Sequence, residues 1–106
     1  MKTLQKMRSA VENKTAKVLT EDIALELKGK KITTIYFGYK GQDHTDEFVV
    51  GNIVSEYTDR NNMVVKTLMT FEGRNTFIRL HSENEGAFTC SDVDRFVFYL
   101  EADHEN

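Results

Sequence analysis

Apolar residues recur along this chain at two spacings, helical at first and alternating afterwards. Leu4, Met7, Ala10 and Val11 repeat every three or four positions. That spacing predicts an amphipathic helix over residues 2–12, with Asn13 as its stop. Residues 14–19 read as a connector. Thr20 then has the features of an N-cap, because Glu21 and Asp22 follow it where acids favour the helix dipole. Ile23 and Leu27 continue the apolar stripe from Leu19, and Lys28-Gly29 is a C-terminal signal. Helices this short are marginal alone, so both must pack on other elements.

From residue 32 the period becomes two, and five strands are predicted. The first covers 32–39, with Ile35, Phe37 and Tyr39 on the core face opposite Thr34 and Tyr36. The second covers 47–57 and carries Gly51 at its centre, a signal of a bulge or bend. The third covers 63–71, the fourth 75–81 and the fifth 95–100, with Phe88, Cys90 and Val93 leading into the last. Turns fall at 41–46, 59–62, 72–75 and 82–86. The chain has no proline, so Gly, Asn and Asp must build them.

The expected fold class is α+β: one or two short N-terminal helices followed by a five-stranded antiparallel sheet. Residues 1–30 form the helical segment, 31–100 the sheet and 101–106 a frayed tail, all in a single domain. A helix followed by five short strands is similar in architecture to small SH3-like and Sm-like barrels, which implies that the sheet curls into a barrel, with an open sheet covered by helices on one face as the alternative. The expected core is Leu4, Met7, Ile23, Leu27, Ile35, Phe37, Val49, Ile53, Met69, Ile78, Leu80, Phe96 and Phe98. Both faces of the second and last strands are apolar. Phe48, Val50 and Val54 oppose Val49 and Ile53, while Val97 and Tyr99 oppose Phe96 and Phe98. One sheet with two short helices leaves part of that second face for a partner.

Composition narrows the function classes. A 106-residue chain that is 40% hydrophobic, with eleven aromatics, can bury one core without staples. Its one cysteine, Cys90, precludes an intrachain disulfide, and no apolar run is long enough to cross a membrane. A cytoplasmic protein without a membrane partner is the expectation. Charge is uneven: residues 1–40 carry nine Lys or Arg against four acids, and residues 41–106 carry five against thirteen. The net charge is −3, and the two signs are expected to neutralise one another across the fold.

Few residues point to chemistry. Asp43, His44 and Asp46 share a turn, and His81, Glu83 and Glu85 alternate, but neither set reaches the converging ligands that a metal requires. Cys90 lies near Asp92 and Asp94, which oppose a thiolate, so it reads as a small core residue. No phosphate loop, nucleophile elbow or zinc spacing is present. No cofactor, metal or catalytic residue is therefore expected, and the chain reads as a non-catalytic protein-binding or regulatory module, with a protein partner or a homo-oligomer. A single-stranded nucleic-acid binder is the first alternative. For it, Tyr36, Arg60, Lys66, Arg74 and Arg79 would form one outward patch of a ring and four cations. The second alternative is an acidic inhibitor in which Glu83, Glu85, Asp92 and Asp94 imitate phosphates.

Overall fold

The first helix ends because the chain turns left-handed at Lys14. In the computed structural model, which describes residues 2–81, 86–89 and 95–101, α1 spans Lys2–Glu12. Lys14 has φ 62°, and its N–H donates to Val11 O while Thr15 N–H donates to Ala10 O. Those two bonds make a Schellman closure, and Lys14 holds the position that glycine usually fills. The helix spans the residues its spacing predicts, and the left-handed residue that closes it is Lys14 rather than Asn13. The expected connector contains a strand, β1, at Lys17–Val18. Helix α2 spans Glu21–Glu26, with Thr20 Oγ1 accepting from Ile23 N–H at 3.3 Å as the sequence suggests.

The remaining strands are β2 (Lys31–Tyr36), β3 (His44–Thr58), β4 (Val64–Thr70), β5 (Asn75–His81), β6 (Phe88–Thr89) and β7 (Phe98–Glu101). A short 3-10 turn at Tyr39–Gly41 links β2 to β3. All strand pairs are antiparallel, and the order is β1-β7-β2-β3-β4-β5-β6. Four of the five expected strands match closely. The last begins later than expected, and Glu101 belongs to it rather than to a tail. Among the described residues the sheet has seven strands instead of five, since β1 and β6 are two residues each and too short to show a period.

The sheet is open rather than a closed barrel. Its edge strands are β1 and β6, and among the described residues the chain beside them meets through isolated bridges, Thr20 with Ala87 and Thr89 with Phe96. Phe88 N–H donates to Leu19 O, and Val97 N–H donates to Phe88 O. These contacts curl the sheet without the run of paired residues that a ladder needs.

The main core lies inside that curl. Leu19, Ala24, Leu27, Ile32, Phe48, Val50, Leu68, Ile78, Leu80, Phe88 and Val97 form one buried cluster. Ile23, Tyr36, Ile53 and Tyr99 pack against it. The expected core is thus met in this cluster at Leu27, Ile78 and Leu80, in part at Ile23 and Ile53, and outside it at Met7 and Ile35. On β7 the expected face is reversed, and on β2 both faces are buried. Ile32 and Val97 point inward, whereas Phe37 and Phe98 are half-buried and Phe96 is exposed. The sequence reading followed the larger rings, but volume alone does not decide which face turns inward.

A second, smaller core lies on the other face of β2. Helix α1 packs against β2, β3 and β7. Met7 and Ile35 stand outside the main cluster, yet Met7 is 0% and Ile35 1% exposed. β2 is therefore buried from both sides, and α1 covers much of the second apolar face.

Gly51 lets the long strand β3 turn with the curl. The β3–β4 register shifts between Val50 and Ile53. A Cβ on Gly51 would lie 2.3 Å from Thr70 O, a backbone atom that cannot swing aside. Gly51→Ala should therefore destabilise the fold by about 2 kcal/mol, the cost of overpacking a close-packed site. Urea unfolding measures this, and a variant within 0.5 kcal/mol of wild type, the ordinary range for surface changes, would contradict it (an order-of-magnitude bound, roughly).

Candidate functional site

The structure scatters the five residues singled out from sequence. Tyr36 stands on the main-core face, stacked on His44 with ring centroids 5.5 Å apart, and is not an outward platform. Lys66 pairs with Glu21 at 3.1 Å. Arg79 donates to Thr76 O from the opposite face, because Lys66 lies across from Leu80 and Arg79 across from Thr67. Arg60 and Arg74 occupy turns at opposite ends of β4, and Arg74 is ion-paired to Glu72. No single patch contains all five.

Other ion pairs explain the charge asymmetry. Arg8–Asp43, Lys30–Glu101 and Lys31–Glu47 each join a base from the first forty residues to an acid from the remainder. The basic cluster at 28–31 is thus partly neutralised where it stands. Exposed pairs of this type contribute little stability, but they remove the cluster as an isolated positive patch.

A different group of aromatics and cations does assemble, where β2 ends and β7 begins. Phe37 follows β2, and its ring lies 5.9 Å from that of Phe98 at a tilt of 58°. Phe37, Arg95, Phe96 and Phe98 line a cleft of about 310 Å³. Arg95 Nη1 donates to Phe37 O at 3.0 Å and ties the two segments together. The Arg8 guanidinium reaches from α1 to 5.6 Å from the Phe37 ring centre and also pairs with Asp43. Tyr39, in the 3-10 turn, has Lys40 Nζ at 5.5 Å and the Arg95 guanidinium at 6.0 Å from its ring centre. Two rings of this group are open, Tyr39 at 66% and Phe96 at 45% exposed, as are Tyr57 and Phe71 elsewhere on the surface.

This arrangement suits a particular chemistry. Flat exposed rings offer stacking surface, and cations held over rings are positioned while still facing solvent. Among the described residues, Arg8, Lys40 and Arg95 bring three positive charges to this group, and Asp43 brings a carboxylate paired to Arg8. A sequence signal existed in two places, Phe37-Gly38-Tyr39-Lys40 and Arg95-Phe96-Val97-Phe98, each setting rings beside a cation. Assigning those rings to the core concealed it.

Histidine and acid groups outside the cleft have structural partners. Asp59 closes the β3–β4 turn: its Oδ1 accepts from Asn61 and Met63 N–H, and its Oδ2 lies 2.9 Å from His81 Nε2. Asp46 accepts from Glu47 N–H. Among the described residues, no three His, Cys, Asp or Glu are grouped to hold a metal ion. Glu83, Glu85, Cys90, Asp92 and Asp94 lie outside the described residues. No helix among the described residues is long and apolar enough to cross a membrane.

The bond from Met63 N–H holds the Asp59 carboxyl below its usual range, aided by Asn61 and His81 and opposed by partial burial. A depressed folded-state pKa gives stability that is present above the unfolded value, near pH 4, and lost as pH falls through the folded value. Asp59→Asn keeps an acceptor for the turn but removes the charge. It should lower Tm at pH 7, and its gap to wild type should close below about pH 4. Thermal melts by circular dichroism check this, and a gap independent of pH would contradict it. Comparisons of the chain with protein-family models, with curated proteins and with solved structures returned no match, so the site's meaning rests on its own geometry.

Proposed function

We propose that this chain is a non-catalytic binding module whose working surface is the Phe37–Phe98 cleft. One observation carries the reading: exposed rings and three cations converge there from α1, the β2–β3 turn and the segment entering β7. Soluble domains bury most large rings, so a cluster of open aromatics rimmed by charge marks a contact surface. The enrichment of such surfaces in aromatics and arginine is what recognition sites use. The partner should present rings together with anionic groups, which match the aromatic walls and the cationic rim.

Small ligands test this directly. Phenyl phosphate and nucleoside monophosphates combine a ring with an anion; phenol and inorganic phosphate carry one feature each. In amide-resolved NMR titrations at millimolar concentration, the first two should shift Phe37, Tyr39, Phe96 and Phe98. The single-feature compounds should shift them less, and Arg60 and Arg74 should stay put. Shifts absent from the cleft, or centred elsewhere, would overturn the reading.

A further inference from the structure

We infer that the occupant of the cleft is single-stranded nucleic acid, an inference that rests on the binding-module reading above. The open rings of Tyr39 and Phe96 supply sequence-tolerant stacking surface, which bases can use only when they are unstacked from a duplex. Phe37 and Phe98, half-buried and tilted against each other, wall the cleft behind them. Arg8, Lys40 and Arg95 lie along the same rim, where a backbone threading past two stacked bases would place its phosphates.

Only one feature favours a strand over an acidic peptide, since guanidinium and ammonium groups meet carboxylates as well as phosphates. The exposed rings are spread over two segments, so successive stacked groups are required rather than one anchor. The rest of the chain carries net negative charge, which disfavours a long duplex lying across the surface while leaving the local cationic rim usable.

Fluorescence anisotropy with mixed-sequence eight-nucleotide single strands, as DNA and as RNA, tests the inference against a hairpin duplex and a polyglutamate peptide. The single strands should bind more tightly than the duplex, the peptide or a nucleoside monophosphate. Three phosphate contacts at about −0.7 each in the salt slope predict roughly a tenfold to twentyfold loss between 50 and 200 mM salt. Phe96→Ala and Tyr39→Ala, both at exposed rings, should each weaken binding at least about fivefold. Lys40→Ala should reduce the slope by about 0.7, whereas Arg74→Ala should leave affinity unchanged. A preference for RNA over DNA would assign the strand to contacts with the 2′-hydroxyl; equal affinity would assign it to stacking and phosphate alone. Single strands binding no better than duplex, peptide or mononucleotide would overturn the inference, as would full affinity in both ring variants. If small aryl phosphates shift the cleft but strands gain nothing, only the nucleic-acid assignment fails. If neither shifts it, both readings fail.

Discussion

Strand β2 is sandwiched between two cores, and most of the molecule takes its position from that sandwich. Ile32 faces the main cluster, Ile35 faces the layer under α1, and Thr33 and Thr34 between them are buried as well. A strand with both faces covered cannot slip register by one residue without exchanging its two apolar sets. β3 and β7 pair with it on either side, so its fixed register sets theirs. The short helix α1, which would be marginal alone, is stabilised by the same contact through fully buried Met7.

The cleft follows from where that cover stops. α1 seals Ile35 but carries Arg8 outward beside Met7, so beyond the end of β2 the second face is lined by rings and met by a cation. Phe98 sits opposite Ile35 in the ladder and leans on Phe37 at the boundary. The same apolar face therefore serves as core at one end and as open surface at the other. A pattern of alternating rings that looks excessive for a small domain is resolved by dividing it between folding and binding.

Much of the fold was legible because its signals are local. The 3.6-residue spacing marks α1, Thr20 caps α2, and alternation marks the strands from residue 31 onward. Gly51 announced the bend that the β3–β4 register shift makes. The two-residue strands β1 and β6 were illegible, because two residues carry no period and their pairing is decided by distant partners. Face assignment failed on β7 because both of its faces carry apolar residues, and on β2 the second buried face depends on the placement of α1. The candidate site was misplaced for the complementary reason. Tyr36 and Lys66 stand on the main-core face of their strands and Arg79 on the opposite one, so they share no outward surface. The residues that do meet, Arg8, Tyr39, Lys40 and Arg95, come from three segments whose proximity is a product of the sheet order.

Amide hydrogen exchange across β2, in wild type and in Met7→Ala, tests the two-core account most directly. Amides of Ile32 through Ile35 should exchange only through global unfolding in wild type, and truncating a buried Met should cost about 2–4 kcal/mol and accelerate them to match. Amides at Phe37 and Phe98 should shift in the same variant, because the edge of the cleft rests on that layer. Rapid exchange of β2 in wild type, or a Met7→Ala variant with unchanged β2 protection, would contradict the claim that burial from both sides organises this fold.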